Sequence, residues 1–492
     1  MQKKLIVIGS GFAGLSAATF MAKAGWDVTL IEKNKTPGGR ARQLKADGFT
    51  FDMGPSWYWM ADVFDRYFAQ FGKKVSDYYS LKRLDPSYRV YWPTELIDIP
   101  ADLEKFKQLL ESWESGSAAR LDKFLLEAAY KYRVGMQKLV LKPGLSAVEF
   151  LDWEVVSGIF KLDIFTSIKK HIHKSFSDSR IRQLLEFPVL FLGALPENTP
   201  ALYSLMNYAD IVGGTWYPQG GMYAAVDAMH QLAIEMGVKF KFDEEVTAIN
   251  ITNNRAEEVV TIRDRYKVDA VIGGADYHHV EQHLLLPQYR TYSEKYWQKR
   301  QLAPSCLLYY VGLNKRLNNL QHHMLFFDVP FDQHAHEIYT SREWPKSPLF
   351  YVSASSVTDP TVAPPGCENL FFLIPVAAGL ENDDEAVREK YFHLIISRFE
   401  RRIGQPILDS VVYKKSYGYS DFVNDYHSFR GNAYGLANTL FQTAIFRPKC
   451  RSSKVRNLFY TGQLTVPGPG VPPSLISGEV VARELQRSMG EK

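Results

Sequence analysis

The sequence predicts an α/β fold, α+β overall, in which a parallel sheet built from distant parts of the chain is joined to an antiparallel sheet and helices. Three observations predict this architecture. An apolar strand, a glycine-rich turn and a helix open the chain at residues 5–22. A buried strand ending at small residues lies near Ala270–Asp276, and another strand feeds a helix close to the end of the chain. Residues 300–415 carry strand-like runs punctuated by Pro and Gly, which are typical of an antiparallel sheet.

The opening strand, Leu5–Ile8, leads into Gly9, Gly11 and Gly14 with the spacing GxGxxG. The first glycine permits a tight turn, the second lets the backbone approach a pyrophosphate, and the third lets the helix pack on the strand. Free N–H groups at the N-terminus of that helix favour an anion. Glu32 ends the next strand, where a carboxylate accepts hydrogen bonds from ribose hydroxyls. These features predict a Rossmann-like site for an adenine dinucleotide.

Gly38, Gly39 and Arg40 follow the ribose carboxylate closely. An arginine at this place resembles the extended fingerprint of glutathione reductase-like flavoproteins, in which FAD rather than NAD occupies the site. The end of the chain adds a second feature, because a strand ending at Gly462 leads into a proline-started helix near Pro472. The N-terminus of that helix would place a second positive dipole end near the cofactor.

Composition excludes several classes of protein. With 46% hydrophobic and 23% charged residues, the 492-residue chain is neither disordered nor a coiled coil. A net charge of +4 is too small to indicate nucleic-acid binding. Aromatic residues reach 14% of the chain, which suits a large apolar pocket or a membrane contact.

The cysteines and the first residues of the chain indicate the cellular compartment in which the protein is expected. Cys306, Cys367 and Cys450 have neither CxxC spacing nor an even count, so we expect no disulfide framework, no zinc site and a reducing compartment. The first strand begins almost at once and leaves no room for a signal peptide. No run of 18 apolar residues occurs, so we expect a cytoplasmic protein that meets a membrane only at its surface.

The expected domain boundaries follow these patterns. Residues 1–75, 215–290 and 445–492 are expected to form one discontinuous cofactor domain. Residues 76–214 read mostly as helices and are expected to form a region that faces substrate or membrane, and residues 291–444 are expected to form a substrate-binding domain.

Motifs along nearly the full length carry a resemblance to one family. The chain resembles the bacterial carotenoid desaturases of the phytoene desaturase type, within the wider amine oxidase-like flavoproteins. The residues that carry this resemblance are Gly9–Gly14, Glu32, Gly38–Arg40, Phe51–Ser56, Tyr217–Met222, Asp359-Pro360 with Ala363-Pro364, Gln442 with Phe446–Pro448, and Gly462–Gly478.

The resemblance implies FAD as cofactor and assigns residues to it. Glu32 and Lys33 are expected at the ribose and adenine, Arg40 at the pyrophosphate, and Val246 with its backbone at adenine. The full set expected to bind FAD is Gly9, Gly11, Phe12, Ala13, Gly14, Glu32, Lys33, Gly39, Arg40, Gly54, Pro55, Ser56, Trp57, Val246, Gly462, Gly470, Val471 and Pro472.

Desaturation moves a hydride to flavin N5 while a proton leaves the neighbouring carbon, so the protein chiefly orients a long apolar chain and excludes water. Aromatic faces would stabilise a transient allylic cation. The expected aromatic wall, which departs from the family pattern after Pro55, consists of Trp57, Tyr58, Trp59, Trp216 and Tyr217.

No catalytic base is assigned from the sequence. Asp52 and His427 are polar groups expected near the site. The adjacent pairs His278-His279 and His322-His323 would point to opposite faces of a strand, so no metal site is expected.

A substrate that lives in a membrane requires an entry surface. Residues 155–176 interleave apolar side chains with lysines and histidines, which fits an interfacial helix on anionic lipid as well as a buried amphipathic helix with a basic outer side. We take the interfacial interpretation as the hypothesis.

The leading functional prediction is an FAD-dependent carotenoid desaturase most like phytoene desaturase, with oxygen or a membrane quinone as electron acceptor. The alternative within the family is a 3,4-desaturase acting on a hydroxylated or monocyclic, γ-carotene-type carotenoid. Two further alternatives are a porphyrinogen or amine oxidase, and a non-enzymatic isoprenoid-binding protein on the same fold.

Overall fold

The computed structural model describes residues 2–150, 163, 165–190 and 193–490. Its strands, in chain order, are β1 Lys4–Ile8, β2 Asp27–Ile31, β3 Gln43–Ala46, β4 Phe49–Asp52, β5 Leu81–Arg83, β6 Tyr88–Tyr91, β7 Leu96–Ile99, β8 Trp216–Pro218, β9 Lys239–Lys241, β10 Val246–Thr252, β11 Arg255–Thr261, β12 Arg265–Lys267, β13 Ala270–Gly273, β14 Ser305–Leu313, β15 His323–Phe326, β16 Phe350–Ser353, β17 Glu368–Val376, β18 Val411–Tyr417 and β19 Leu458–Tyr460.

The α-helices, again in chain order, are α1 Phe12–Lys23, α2 Ala61–Ala69, α3 Leu103–Trp113, α4 Ser117–Val134, α5 Ile168–Ser175, α6 Ser179–Leu190, α7 Leu205–Ile211, α8 Tyr223–Glu235, α9 Tyr277–His283, α10 Glu294–Gln298, α11 Phe331–His336, α12 Glu385–Ile403, α13 Tyr419–Tyr426 and α14 Val471–Ser488.

A parallel sheet joins both ends of the chain. Its strand order is β19-β13-β1-β2-β9, and β1 pairs with β2 on one side and β13 on the other. The central strand is apolar and β-branched because both of its faces are covered, and Leu5 and Val7 are fully buried. The predicted α/β fold, with a cofactor sheet assembled from distant segments, is confirmed.

Helices α1 and α14 pack against each other beside this sheet at very short range. A Cβ on Gly478 would lie 2.4 Å from the carbonyl oxygen of Ala13. Only a glycine permits this approach, because the added carbon would overlap the helix backbone. The middle of the last helix therefore packs against the first turn of the first helix.

A second, mainly antiparallel sheet lies in the other half of the molecule. Its order is β18-β14-β17-β16-β15-β6-β7, and only β15 and β6 run parallel within it. All nine residues of β14 are buried, because helix α12 covers one face and the cofactor half covers the other. Strands β6 and β7 come from the segment expected to be helical, so residues 76–214 contribute strands as well as helices to the fold.

Two helices have clear end signals. Helix α3 begins after Asp102, whose carboxylate accepts a hydrogen bond from Lys105 N at 2.9 Å. Helix α12 ends where Gly404 adopts φ of 70°.

Candidate functional site

One cavity of about 450 Å³ runs between the two sheets. We call its lining from the parallel-sheet half the cofactor end, which includes the 9–13 turn, residues 31–34, 38–41, 244–246 and the 461–474 segment. We call its lining from the antiparallel half the substrate end, which is built on β15, β16 and β17 and on helices α6, α7 and α11. The two ends meet at Gly54–Trp57, which lies where the flavin ring is expected.

The glycine turn has the geometry that the sequence predicts. Gly9 has φ of 93°, and a Cβ on Gly14 would lie 2.0 Å from the carbonyl oxygen of Gly9, so helix α1 can pack on β1 only with glycine there. A Cβ on Gly11 would meet nothing within 4 Å, which leaves open space above the turn. An extended phosphate group can therefore approach the backbone at this point.

Two helix N-termini without side-chain caps line the cofactor end. Helix α1 starts after Gly11 and α14 starts after Gly470, and neither has an acidic residue in its first turn. Uncapped N–H groups and the positive ends of the helix dipoles favour a bound anion. The α14 terminus, with Val471 and Pro472, lines the cavity close to the Gly54–Trp57 junction.

Arg40 is a half-buried cation that faces this cavity. Its Nη2 donates to the carbonyl oxygen of Asn432 at 3.1 Å and to the hydroxyl of Ser428, while its buried Nε has no hydrogen-bond partner among the described residues. Desolvation lowers the pKa of the Arg40 guanidinium, and the carboxylate of Asp276 opposes that shift. A guanidinium with an unused donor fits the negatively charged pyrophosphate of FAD.

Glu32 is buried at the end of β2 and lines the cavity. Its Oε2 accepts hydrogen bonds from Ser10 N and Ser10 Oγ at 2.9 and 2.8 Å, and its Oε1 accepts from Asn34 N and Asn34 Nδ2 at 2.9 and 2.8 Å. Four donors hold the carboxylate at the strand end, in the place where a ribose would be bound.

The structure brings nearly all of the expected cofactor residues to one surface. Each of them except Gly14 lines the cavity, and Gly14 lies beneath the turn against Gly9. Val246 and Lys33 line the cofactor end together with His279 and His427, and Lys33 Nζ lies 3.2 Å from His427 Nε2. The fit of this surface to an adenine dinucleotide rests on the glycine clearances, the two helix termini and Arg40.

The substrate end is apolar. Its lining includes Phe187, Met206, Leu325, Phe327, Leu349 and Leu373. Among the described residues there, none is an acid, a lysine or an arginine. His334 uses both ring nitrogens within the protein, because Nδ1 accepts from Leu349 N at 2.9 Å and Nε2 donates to the carbonyl oxygen of Pro375 at 3.0 Å. A long hydrocarbon can occupy such a surface without leaving a charge unpaired.

The aromatic wall is corrected by the structure in part. Trp57 and Trp59 line the cavity, whereas Tyr58, Trp216 and Tyr217 are not among the described lining residues. Tyr58 alternates to the other side of the chain, where its ring stacks on Phe64 and its hydroxyl bonds to that of Tyr79 at 2.7 Å. Trp216 and Tyr217 belong to β8, which pairs with β5 away from the cavity.

The two polar groups expected near the site have different positions. Asp52 lies behind the lining, where its carboxylate accepts hydrogen bonds from Met222 N and Tyr223 N at 2.8 and 3.2 Å. Burial raises its pKa to about 7. His427 lines the cofactor end, where its Nε2 lies 2.7 Å from Glu245 Oε1.

The histidine pairs have separate environments. His278 and His279 lie on helix α9 rather than on a strand, and His279 stacks on His427 with ring centroids 3.9 Å apart. His322 bonds to Thr358 and His323 to Tyr351. The described residues contain one group with metal-ligand spacing, Glu127, Asp163 and His171, and the Lys131 ammonium lies 2.8 Å from its Asp163 carboxylate.

Sequence reasoning missed most of the substrate end. Tyr351, His334, Leu349 and Leu373 line the cavity, but they come from two strands, a short polar helix and the residue before β16, which no local pattern joins. The one local signal was the alternation along β16, which separates Tyr351 from Val352, although Phe350 also lines the cavity. Without the sheet order, that alternation does not say which face meets the cofactor.

Residues 155–162 and 164 of the expected interfacial segment lie outside the described residues. Helix α5 covers residues 168–175 of the segment, where Ile168 and Ile172 are fully buried, whereas Phe165, which precedes the helix, is 83% exposed. The basic residues of α5 therefore face outward while its apolar side packs inside the protein. Within the described part of the chain, no helix is both long and apolar enough to cross a bilayer.

Comparison with known proteins gives consistent results. A model of the family described as flavin containing amine oxidoreductase matches residues 12–486. The chain is 39% identical to a carotenoid 3,4-desaturase of Haloarcula japonica, over 97% of each protein. It is 32% identical to a zeta-carotene-forming phytoene desaturase of Myxococcus xanthus, over 98% of this chain and 94% of that protein.

Solved structures agree on the fold. An oxidoreductase from Methanosarcina mazei superposes with a TM-score of 0.62 at 17% identity, covering 98% of this chain and all of the other. A putrescine oxidase bound to putrescine gives a TM-score of 0.61 at 14% identity, covering 99% of each chain.

Proposed function

This chain belongs to the family of flavin containing amine oxidoreductases, and from that membership we propose that it is an FAD-dependent carotenoid desaturase acting on an acyclic C40 carotenoid of the phytoene type. FAD binding and the oxidoreductase class follow from the family. The observation that carries the substrate class is the apolar substrate end, which opens directly onto the residues expected beside the flavin. Full-length similarity to two carotenoid desaturases supports it.

Bound FAD supplies the acceptor for the two electrons that leave the substrate with a hydride. The protein's own contribution is to hold a long apolar chain in a fixed register against Trp57 and to exclude water from the reacting carbons. Trp57 and Trp59 lie in edge contact, with ring centroids 5.2 Å apart, and both face the cavity. Their faces stabilise positive charge that develops on the substrate as the hydride leaves.

A second candidate is 3,4-desaturation of a hydroxylated or monocyclic carotenoid. The observation that favours it is the higher identity to the Haloarcula japonica enzyme, 39% against 32% for the phytoene desaturase. Both candidates use the same cavity and the same chemistry, and they differ in the end group that passes beyond the flavin.

Pigment analysis in engineered cells separates the two candidates. The protein is expressed in cells that accumulate phytoene and, in parallel, in cells that accumulate a hydroxylated γ-carotene, and the pigments are resolved by chromatography. We expect coloured desaturation products in the phytoene strain. A phytoene strain that stays colourless, beside a hydroxylated strain whose pigment gains a double bond, would replace the first candidate with the second.

Peripheral membrane association is part of the proposal, with a location that differs from the sequence hypothesis. The apolar side of α5 is buried, but Phe441 and Phe446 are 74% and 52% exposed, and their rings lie 6.3 Å apart. The 144–149 loop lies beside them, since a Cβ on Gly144 would lie 3.2 Å from the carbonyl oxygen of Ala444. Val148 on this loop is also exposed. Exposed aromatic side chains insert readily at the lipid interface.

Vesicle sedimentation tests this surface. The protein is mixed with vesicles of phosphatidylcholine and phosphatidylglycerol, and the pelleted fraction is measured. We expect Phe441→Ser with Phe446→Ser to lower binding about tenfold. Leu286→Ser is the matched control, because Leu286 is an exposed apolar residue in the cofactor half. Equal binding by the double variant and the wild type would remove this surface from the proposal.

The electron acceptor is proposed to be oxygen or a membrane quinone. Anaerobic assays with and without a soluble quinone measure this directly, by the number of turnovers per flavin in each condition.

A further inference from the structure

Three polar side chains are joined in a line where the apolar substrate end meets the expected flavin position. Ser56 Oγ lies 2.9 Å from Tyr351 Oη, and Tyr351 Oη lies 2.7 Å from His323 Nδ1. Ser56 and Tyr351 both line the cavity, and His323 lies behind them with no exposed surface. Trp57 covers the imidazole, with ring centroids 4.1 Å apart and an angle of 8° between the planes.

One nitrogen of the His323 ring is not used by the residues that the structure describes. Its Nε2 is buried and has no hydrogen-bond partner among them. A buried polar atom left in this state costs free energy, so an imidazole at this position requires an explanation beyond packing.

Several other polar groups near the substrate end are already engaged. Both nitrogens of His334 bond to backbone groups. The Asp52 carboxylate accepts two backbone N–H groups behind the lining, and Asp210 is bonded by Tyr88 and Thr215. The Ser56–Tyr351–His323 chain combines access to the cavity with an imidazole nitrogen, Nδ1, that lies within hydrogen-bond distance of the Tyr351 hydroxyl and can take up its proton.

We propose that Tyr351 is the catalytic residue that receives the proton lost by the substrate, and that it passes its own hydroxyl proton to His323 Nδ1. This inference rests on the proposed desaturase function. One C–H bond of the substrate breaks with its electron pair, which leaves as hydride to the flavin. The neighbouring C–H bond breaks, its electron pair forms the new C=C bond, and its proton goes to Tyr351 Oη as the Tyr351 proton moves to His323. The substrate loses two electrons and the flavin gains them.

The protonation states suit this direction of transfer. Burial holds the pKa of His323 well below its ordinary value, with the neighbouring His322 adding to the shift, so the imidazole is neutral and ready to accept a proton. A low pKa does not prevent the transfer, because a carbon next to a developing allylic cation is a far stronger acid than an imidazolium. The face of Trp57 lies against the imidazole and stabilises its positive charge.

¹⁵N NMR tests the hydrogen-bonded chain Ser56–Tyr351–His323 without requiring turnover. The purified FAD-loaded protein is labelled with ¹⁵N-histidine, and the His323 signals are assigned by difference from His323→Gln. We expect Nδ1 to be unprotonated and hydrogen-bonded and Nε2 to carry the hydrogen, and we expect the Nδ1 signal to move in Tyr351→Phe. A protonated Nδ1 in the wild type would overturn the proposal, because Tyr351 could not then pass a proton to it.

Anaerobic mixing with the carotenoid converted by the wild type measures the step itself. Tyr351→Phe is expected to lower the limiting rate of flavin reduction about a hundredfold and leave the Kd for FAD unchanged. His323→Gln is expected to do the same, and the double variant to lose no more than either single one, since both act on one proton path. Tyr309→Phe is the control, because its buried hydroxyl donates to the Arg388 carbonyl on the other face of the sheet.

The outcomes separate this inference from the function on which it rests. If no carotenoid reduces the flavin of the wild type, the proposed function fails. If the wild type is active and Tyr351→Phe stays within twofold of it with its flavin bound, the function stands and the proton path is wrong. Should Tyr351→Phe not retain FAD, the His323→Gln rate and the wild-type NMR spectrum still decide.

Discussion

Buried carboxyl groups at the two ends of the cavity differ in the number of hydrogen-bond donors around them. At the cofactor end, Glu32 is held by four N–H and O–H donors. Behind the substrate end, Asp210 is equally buried, but its carboxylate partners among the described residues are the hydroxyls of Tyr88 and Thr215, at 3.2 and 3.4 Å. The cofactor end is thus built to hold ionic groups, whereas the substrate end neutralises or excludes them. The protein needs both kinds of surface, because it must bring a charged dinucleotide into contact with a hydrocarbon.

The largest expected effect is a loss of FAD affinity caused by a change at the cofactor end alone. Gly14→Ala places a Cβ 2.0 Å from the Gly9 carbonyl, so α1 must move away from the strand and the pyrophosphate site is lost. We expect the affinity for FAD to fall about a hundredfold, or about 3 kcal/mol, measured by flavin fluorescence on titration of the flavin-free protein.

Gly366→Ala is the control for this variant. Gly366 has φ of 79°, but an added Cβ meets nothing within 4 Å, so the substitution carries a backbone cost without a clash. Unchanged FAD affinity in Gly14→Ala would contradict the role given to the close packing of α1.

The next largest effect is a loss of activity on carotenoid caused by a change at the substrate end alone. Leu373→Trp fills the cavity from β17, and we expect kcat/KM for carotenoid to fall at least about tenfold with FAD affinity unchanged. Leu373→Met conserves volume and is expected to behave as the wild type. A parallel loss of FAD in Leu373→Trp would mean that the two ends are not separable.

A smaller effect is the pH dependence that the buried Asp210 gives to the stability of the fold. Burial raises the pKa of Asp210 to about 7, against an ordinary value of 3.8. A raised pKa in the folded state means that the unfolded chain binds fewer protons between pH 4 and 7, so the contribution of Asp210 to stability falls as pH rises through that window. Asp210→Asn removes this dependence.

Thermal unfolding of the two proteins measures the difference. From pH 5 to pH 7, we expect the Tm of the wild type to fall relative to that of Asp210→Asn by about 2 °C. Parallel Tm curves would show that Asp210 ionises freely in the folded protein, and the contrast with Glu32 would then fail.

The difference between the two ends also explains how far the sequence could be interpreted. The cofactor end is specified locally, since Gly9, Gly14 and Glu32 lie within one strand-turn-helix-strand unit whose geometry is set by the backbone. Val246 and Gly470 had to be placed by resemblance, but both line the cavity as expected. Most residues that line the cofactor end could therefore be named from the sequence, and their contacts with FAD stay a prediction.

The substrate end depends on sheet order, which short-range patterns do not contain. Tyr351 lies opposite Leu373 because β16 pairs with β17. His323 lies on the next strand of the sheet because β15 pairs with β16. Tyr58, Trp216 and Tyr217 were expected in the wall because aromatic faces would stabilise an allylic cation, but the ring of Tyr58 stacks on Phe64, and β8 pairs with β5. Residue type alone does not predict which side chains line a cavity that is assembled from separate strands.

The central claim is that a single cavity presents a carotenoid to FAD. The most direct test mixes the purified flavin-loaded protein anaerobically with phytoene or a hydroxylated γ-carotene in vesicles and follows the visible absorbance of the flavin. We expect one of these carotenoids to bleach the flavin, with one new double bond formed per flavin reduced. A flavin that stays oxidised with every carotenoid and is bleached by an amine such as putrescine would contradict the claim.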